Sequence, residues 1–209
     1  MRDLVKRIVP MVLVVILAIS CSASDDGFAR STENKSIVVS SSNHPQRRVS
    51  EPLEISPYLS RPCDLVSSQL LGKLGTSPDK SNPRLPKDDE VAAGVGPSCS
   101  WKIEGEGSIG IGIASENARR GAGGLRALEL LREQGRFKLW EESSVSAYPA
   151  VYFGVRDART EGDCDLAVGI ADDMTFSVAA IGFSSGDQQA CDVADEIAAD
   201  VIANLRKGS

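Results

Sequence analysis

The pattern of apolar positions begins with an uncharged run, residues 8–19, that follows a short basic stretch and ends just before Cys21. A helix that spans a membrane needs about 20 apolar residues, and this run is shorter and contains Pro10. A basic stretch, a short apolar run and small residues before a cut are typical of a cleaved secretory signal. We therefore predict that residues 1–20 are a signal peptide and that the rest of the chain is exported.

The residues around the predicted cut resemble a bacterial lipobox, in which the cysteine thiol receives a diacylglycerol before cleavage. The motif reads Leu17-Ala18-Ile19-Ser20-Cys21, with the usual leucine displaced by one position. We predict that Cys21 is lipidated and that its acyl chains hold the protein at the extracytoplasmic face of a bacterial cell membrane. The alternative is a plain secretory signal with an incidental cysteine.

A polar segment separates the signal from the folded part of the chain. Residues 21–57 are rich in Ser, Asn, Asp, Arg and Glu, and Ile37-Val38-Val39 is their one apolar cluster. Such a segment cannot bury enough apolar surface to offset its ordering entropy. We predict a flexible tether with a reach of roughly 30–35 Å, followed by one globular domain, residues 58–209.

From residue 58 onward, helical and strand-like patterns alternate. Val66, Leu70 and Leu74 recur at helical spacing after Pro62, a residue that is favourable at a helix start. Residues 76–97 are rich in Pro, Asp and Lys and indicate a loop. Period-2 alternation predicts strands at residues 99–103, 107–113, 137–145, 150–156, 164–170 and 174–181.

Two further helices complete the prediction. Residues 125–134 form a short helix with Leu128 and Leu131 facing inward, and the chain ends in a helix from about residue 188 to residue 205. Ser185 with Gln188 fits a capping box before that last helix. Its apolar stripe comprises Val193, Ala194, Ile197, Val201, Ile202 and Leu205.

The order of these elements predicts an α+β domain. Strands that are grouped between helices and joined by short links favour an antiparallel sheet. We expect a single sheet of about five or six strands, packed on one face by the first and last helices.

The cysteine count supports both the lipid and a pair of disulfides. Five cysteines is an odd number, and assigning Cys21 to lipid leaves four. An oxidising compartment favours pairing these four, and three pairings are possible. We predict Cys63–Cys99 and Cys164–Cys191, because each pair flanks one contiguous block. A zinc site is the rival use, disfavoured because the sequence has no C-x-x-C pair and its only histidine, His44, is far from any cysteine.

Charge and residue content argue against several classes of function. The net charge is −6, and loss of the basic signal leaves the mature part more acidic, which disfavours nucleic-acid binding. With His44 in the tether, a Ser-His-Asp or Cys-His arrangement has no base in the domain. We predict no cofactor and no metal. The remaining matches to catalytic patterns are interpreted as loop and turn residues: Asp163 with Asp165, Asp172 with Asp173, and Ser77 with Lys80.

Aromatic side chains are the first candidates for contact with a ligand or partner. We expect Trp101 to lie in the core beside a disulfide and Tyr148 to be exposed at a sheet end. Tyr152 and Phe153 point to opposite faces of one strand, so one of them should be uncovered if helices pack only one face. Trp140 is the remaining aromatic candidate.

A glycine-rich turn is the second candidate. Gly121-Ala122-Gly123-Gly124 precedes a helix, so its amides suit an anion, with Arg119 and Arg120 nearby. A mobile connection between hairpin and helix is the alternative.

Three features resemble the actinobacterial lipoproteins of the domain-of-unknown-function 3558 family. They are Pro-Cys-Asp-Leu at residues 62–65, Cys-Ser-Trp at residues 99–101, and a late strand cysteine with a partner in the last helix, behind a lipobox and a Ser-rich tether. The resemblance covers about residues 58–206 and implies an envelope location and a four-cysteine framework. The family carries no known activity, so no catalytic residues transfer. The topology is also similar to sensor domains of mycobacterial kinases and to the PsbP/Mog1 sandwich, an analogy of fold alone.

These observations predict a non-enzymatic, lipid-anchored binding module that contacts an envelope protein or lipid. One alternative is an envelope hydrolase that acts on cell-wall material through carboxylates or a lysine. Another is a carrier of a lipid or small hydrophobic ligand, which requires an enclosed apolar cavity between sheet and helices.

Overall fold

The computed structural model describes residues 48–105, 107–183 and 189–208. The predicted signal peptide, Cys21, most of the tether and the predicted cap at Ser185 lie outside these residues. Within the described residues, no helix is both long and apolar enough to cross a bilayer.

The domain contains one sheet and helices on both of its faces. The strands are β1 (Ser81–Arg84), β2 (Ser98–Ile103), β3 (Gly107–Ile113), β4 (Leu139–Val145), β5 (Tyr148–Gly154), β6 (Cys164–Gly169) and β7 (Thr175–Ile181). The α-helices are α1 (Ser68–Lys73), α2 (Glu90–Val95), α3 (Ser115–Arg119), α4 (Gly124–Glu133) and α5 (Gln189–Lys207). Single 3-10 turns occupy Ser56–Tyr58, Pro62–Leu65, Pro78–Lys80 and Arg159–Glu161.

All seven strands join one antiparallel sheet in the order β1-β2-β3-β7-β6-β5-β4. The predicted fold class is therefore confirmed, and the sheet has one strand more than we predicted. The additional strand is β1, which pairs with β2 at one edge. Its sequence, Ser-Asn-Pro-Arg, lacks apolar alternation, and Pro83 is tolerated because an edge strand leaves one side unpaired.

One face of the sheet, called the first face, carries the main core. Helix α5 packs on it, and every residue of the predicted apolar stripe is buried. The strands contribute the facing layer, whose members on β6 and β7 include Leu166, Val168, Phe176 and Val178, each at most 1 % exposed. Trp101, also 1 % exposed, lies in the same core two residues from Cys99, as predicted.

Two disulfides attach the ends of the domain to the sheet. Cys63 in the Pro62–Leu65 turn bonds to Cys99 in β2, and Cys164 in β6 bonds to Cys191 in α5. Both predicted pairings are confirmed. Each bond fastens a segment packed on the first face to a strand beneath it.

The first predicted helix is broken in two. The turn at Pro62–Leu65 ends where Val66 becomes extended, and α1 starts only after Ser67. The Ser67 hydroxyl accepts a hydrogen bond from the Leu70 amide and so caps α1. The carboxylate of Asp200 in α5 accepts from both the amide and the hydroxyl of Ser67, which fixes the break against the last helix.

Helix α2 lies inside the predicted loop. Asp89 caps it by accepting from the Ala92 amide at 2.9 Å. The helix has six residues and exposes Val91 and Val95, so it carries no apolar stripe that a pattern search can find.

The packed domain begins earlier than residue 58, the predicted boundary. Residues 48–57 lie against the sheet: the Leu53 amide donates to the Ile170 carbonyl at 2.9 Å, and Ile55 is 3 % exposed. The isolated apolar residues of this stretch are too few to suggest a core, but packing against the sheet buries Ile55.

Candidate functional site

The opposite face of the sheet, called the second face, is covered only in part. Helix α4 lies over β5 and β6, where Leu125 packs against Val151 and Ala167. A Cβ on Gly169 would come within 3.1 Å of the Leu125 side chain, so the helix sits directly on the strand. The condition under which Tyr152 or Phe153 would be uncovered, helices on one face alone, is therefore not met.

Helix α4 also presents leucines to solvent. Leu128 is half-buried against the sheet, whereas Leu131 is 38 % exposed and Leu130 is 42 % exposed. We predicted that Leu131 faces inward, but Leu125 takes that position. The first turn of α4 makes the closest contact with the sheet. Leu130 and Leu131 lie in the last turns, on the side of the helix that faces away from the sheet, and therefore stay exposed.

None of the described helices lies on the remaining part of the second face. It is formed by the outward residues of β2, β3 and β7 and is called the open half-face. Most of its side chains are small, and Ile181 is 48 % exposed at one end. Its residues are Ser98, Ser100, Lys102, Ser108, Gly110, Gly112, Ser177, Ala179 and Ile181.

An aromatic cluster borders α4 on its other side. Trp140 and Phe153 face each other across β4 and β5, and Phe137 completes the group with ring centroids 6.1 Å from Trp140 and 5.3 Å from Phe153. The Arg132 guanidinium lies 5.1 Å from the Trp140 ring centroid. Two predicted binding residues, Trp140 and Phe153, are thus brought together, half-buried beneath the end of α4.

Tyr148 is not exposed at the sheet end, contrary to the prediction. Only 4 % of its surface is accessible, and its hydroxyl donates to the Glu51 carbonyl at 2.8 Å. The Arg206 guanidinium covers its ring at 5.3 Å. Residues 48–51, which were assigned to the tether, bury this side chain.

Tyr152 contacts α5 on the first face, opposite to Phe153 as the alternation predicts. Its hydroxyl donates to Asp195 Oδ2 at 2.6 Å. Burial, and then the hydrogen bond to Asp195, raise the pKa of Tyr152, so the hydroxyl stays protonated. Burial also raises the pKa of Asp195, although the hydrogen bond from Tyr152 opposes that shift. Both Tyr152 and Phe153 are half-buried, and neither is left uncovered.

This pair leads to a prediction about pH. Because the pKa of Asp195 is higher in the folded chain than its ordinary value of 3.8, the stability that its protonated form contributes is lost as pH rises above that value. Asp195→Asn removes this loss. The free energy of unfolding of the variant should therefore increase relative to that of wild type as pH rises from about 4 to 7. Urea titrations at several pH values measure the difference. Tyr152→Phe should make the loss larger, because it removes the hydrogen bond that lowers the pKa of Asp195. If the free energy of unfolding depends on pH in the same way in all three proteins, Asp195 is not the group responsible.

Arg119 and Arg120 do not converge with the glycine-rich turn on an open anion site. Arg119 forms an ion pair with Glu116, and Arg120 donates to the Gly94 carbonyl and to Asn117. Arg119 therefore pairs within α3, and Arg120 links the end of α3 to α2.

The glycines of the turn allow close packing. A Cβ on Gly123 would lie 2.0 Å from the Asp173 carbonyl oxygen, and one on Gly124 would lie 2.2 Å from that of Asp172. The start of α4 is thereby pressed onto the β6–β7 turn, which determines where the helix crosses the sheet.

A matched pair of glycines tests this close approach. Gly124 and Gly135 flank α4 with the same φ of +72°, but no atom lies within 4 Å of a Cβ on Gly135. Alanine at either position should lower the free energy of unfolding by about 1–2 kcal/mol, because its side chain disfavours the left-handed backbone conformation. We expect Gly124→Ala to cost about 2 kcal/mol more than Gly135→Ala, because the Asp172 carbonyl must also move. Equal losses in urea unfolding would show that the contact is unimportant.

One member of each carboxylate pair holds a backbone amide. Asp163 Oδ1 accepts from the Gly182 amide at 2.9 Å, and Asp172 Oδ1 accepts from the Val49 amide at 3.2 Å. Among the described residues, no group of three or more His, Cys, Asp or Glu side chains could hold a metal ion. Lys80 of the S-x-x-K match pairs with Glu104 at 2.7 Å.

A groove between α1 and α5 is a further candidate surface. Its lining groups are largely engaged with one another: Asp200 binds Ser67, and Lys73 pairs with Glu196. The groove therefore joins two helices through satisfied polar contacts, whereas no helix of residues 48–105, 107–183 and 189–208 covers the open half-face.

Comparison with known proteins supplies the family. A model for proteins of unknown function, DUF3558, matches residues 16–204. The chain belongs to this family. The match to DUF3558 spans both disulfides and the entire sheet, and it confirms the resemblance predicted from the cysteine motifs. No curated protein and no solved structure matches the chain.

Proposed function

We propose that this DUF3558 protein is a non-enzymatic interaction module, anchored by lipid on Cys21 outside a bacterial cell membrane, that binds its partner through the open half-face and the adjoining side of α4. The observation that carries this proposal is the half-covered second face. One part of the sheet is covered by α4, and the rest is exposed beside the helix.

The chemistry of this surface suits a protein partner. Small side chains let another backbone or helix approach the sheet closely, while Leu130, Leu131 and Ile181 supply apolar area at the margins. Burying exposed apolar surface contributes roughly 25 cal/mol per Å² before the costs of association are counted. The two disulfides support this role because a rigid surface loses less entropy on binding.

The filled core favours a binding surface over the lipid-carrier alternative. Side chains of the sheet and α5 meet directly on the first face, and Leu166, Val178 and Ile197 are fully inaccessible. A carrier would have to open this layer to admit a ligand. The open half-face needs no such rearrangement.

Capture from the cell envelope with surface variants tests the proposal. Wild-type protein and Ala179→Arg, which places a bulky charge on the floor of the open half-face, are crosslinked in parallel to the same membrane preparation. Val91→Glu on α2 is the matched control, since Val91 is 67 % exposed.

We expect wild type and Val91→Glu to recover the same partner, and Ala179→Arg to lose it. A partner that all three proteins recover equally would exclude the open half-face as the binding surface. Turnover of wall fragments by purified protein, abolished by substituting one of its carboxylates, would favour the hydrolase instead.

A further inference from the structure

We infer that the partner of the open half-face is helix α4 of a second copy of this chain, in a two-fold symmetric pair. This inference rests on the proposed function and names the partner. Four features of the surface support it: its edges, its dimensions, its symmetry and its charges.

The two edges of the sheet are protected against self-pairing. Edge strand β1 has only four residues and contains Pro83, which cannot donate to a ladder. Glu142 is the central residue of β4, so two β4 strands paired in full antiparallel register would place Glu142 opposite its own copy. Like charges directly opposite each other destabilise a sheet. Pairing of two copies through their edge strands is therefore disfavoured, and contact through a face of the sheet is the alternative.

The open half-face has the dimensions of one short helix. Strands β2, β3 and β7 are neighbours, so their outer members lie about 10 Å apart, which is the diameter of a helix. The outward residues from Ser98 to Lys102 extend for about 13 Å along β2. Helix α4, with ten residues, is about 15 Å long.

Symmetry allows both copies to use the same contact. The helix covers one part of the second face and leaves the other part open, so a two-fold axis parallel to the strands places each α4 on the open half-face of the other copy. Such an isologous contact is closed and stops at a dimer. The exposed Leu130 and Leu131 then find apolar contacts in Ala179 and Ile181 of β7, and the glycines of β3 leave room for them.

One charged contact is available to this arrangement. Helix α4 runs from the level of Gly169 to that of Trp140, and Lys102 lies at the same end of the sheet as the C-terminus of the helix. An axis parallel to the strands preserves these levels, so Lys102 of one copy reaches the last turn of α4 in the other. That turn carries the negative end of the helix dipole and Glu133, which also pairs with Arg126 at 3.1 Å. Arg132 of the same turn is turned toward Trp140, with its guanidinium 5.1 Å from the ring centroid. Within the described residues Lys102 forms no ion pair.

Sedimentation equilibrium on the mature chain with Cys21→Ala tests the inference without membrane. We expect a concentration-dependent dimer, with Leu131→Glu and Ala179→Arg each raising the dissociation constant at least about tenfold. The control Val91→Glu should dimerise as wild type does. Lys102→Glu should weaken the dimer, and adding Glu133→Lys in the same chain should restore it. Near-ultraviolet circular dichroism of every variant verifies that it is folded.

The outcomes separate this inference from the proposed function. A protein that stays monomeric to about 1 mM, or a dimer indifferent to both Leu131→Glu and Ala179→Arg, overturns the second copy as the partner. If that monomer still captures an envelope protein in a manner sensitive to Ala179→Arg, the proposed function holds with another partner. If it neither dimerises nor shows such capture, both proposals fail.

Discussion

Cys21→Ala is expected to move the protein from the membrane fraction to the soluble fraction completely. Lipid on this residue is the proposed anchor, and each buried CH₂ of an acyl chain contributes about 0.8 kcal/mol to membrane binding. The chain has a net charge of −6 with its basic signal included, so its surface gives no electrostatic attraction to anionic lipids. Fractionation followed by immunoblotting measures the change.

The matched control for that experiment is Cys21→Ser in a chain whose residues 1–20 are replaced by a plain secretory signal, which should be released to the same extent. Metabolic labelling with a fatty acid should mark wild type alone. Retention of Cys21→Ala in the membrane fraction would contradict the lipid anchor. The globular domain should unfold identically in all these proteins, because Cys21 lies outside it.

Replacing Cys164 and Cys191 together with alanine should lower the free energy of unfolding by about 3.5 kcal/mol, the loop-closure value for a sequence separation of 27 residues. The bond joins β6 to the first turn of α5. It keeps these two segments together in the unfolded chain, and so it lowers the conformational entropy that folding has to overcome. Urea or thermal unfolding under non-reducing conditions measures the loss.

The second disulfide provides a comparison within the same chain. Cys63 and Cys99 enclose a slightly longer loop, with a separation of 36 residues, so their joint replacement should cost about 4 kcal/mol. The two losses should be similar although the bonds lie at different places in the fold. A loss below about 1 kcal/mol for either pair would mean that the unfolded chain is already restricted there.

The arrangement of the two faces explains why the domain has a stable core and a free surface at the same time. Helix α5 and the disulfides fill and fasten the first face, which provides the burial that folding needs. Of the helices in the described part of the chain, α4 alone lies on the second face, held at its start by Gly123 and Gly124 on the β6–β7 turn. Substitutions on the open half-face, such as Ala179→Arg, should therefore affect binding far more than stability.

Local sequence patterns were sufficient to predict the elements that bury one regular stripe of apolar residues. Helix α5 and six of the seven strands follow from apolar residues at helical or period-2 spacing, and the cysteine pairings follow from the blocks that these elements form. Strand β1 and helix α2 have no such stripe. They form because β2 offers an edge to hydrogen-bond and because Asp89 caps the helix, and neither cause repeats along the sequence.

The sequence by itself determined the α+β class and the antiparallel sheet, because these depend on spacing along the chain. It left three cysteine pairings possible, and the structure has the pair of bonds that we predicted. Only the tertiary structure decided which surfaces are free. Residues 48–51 bury Tyr148, α4 covers Phe153 and Trp140, and the serines and glycines of β2 and β3 stay open. Whether such a side chain is buried depends on which distant segment packs against it. That packing joins elements that are far apart in the sequence, so the spacing of residues does not reveal it.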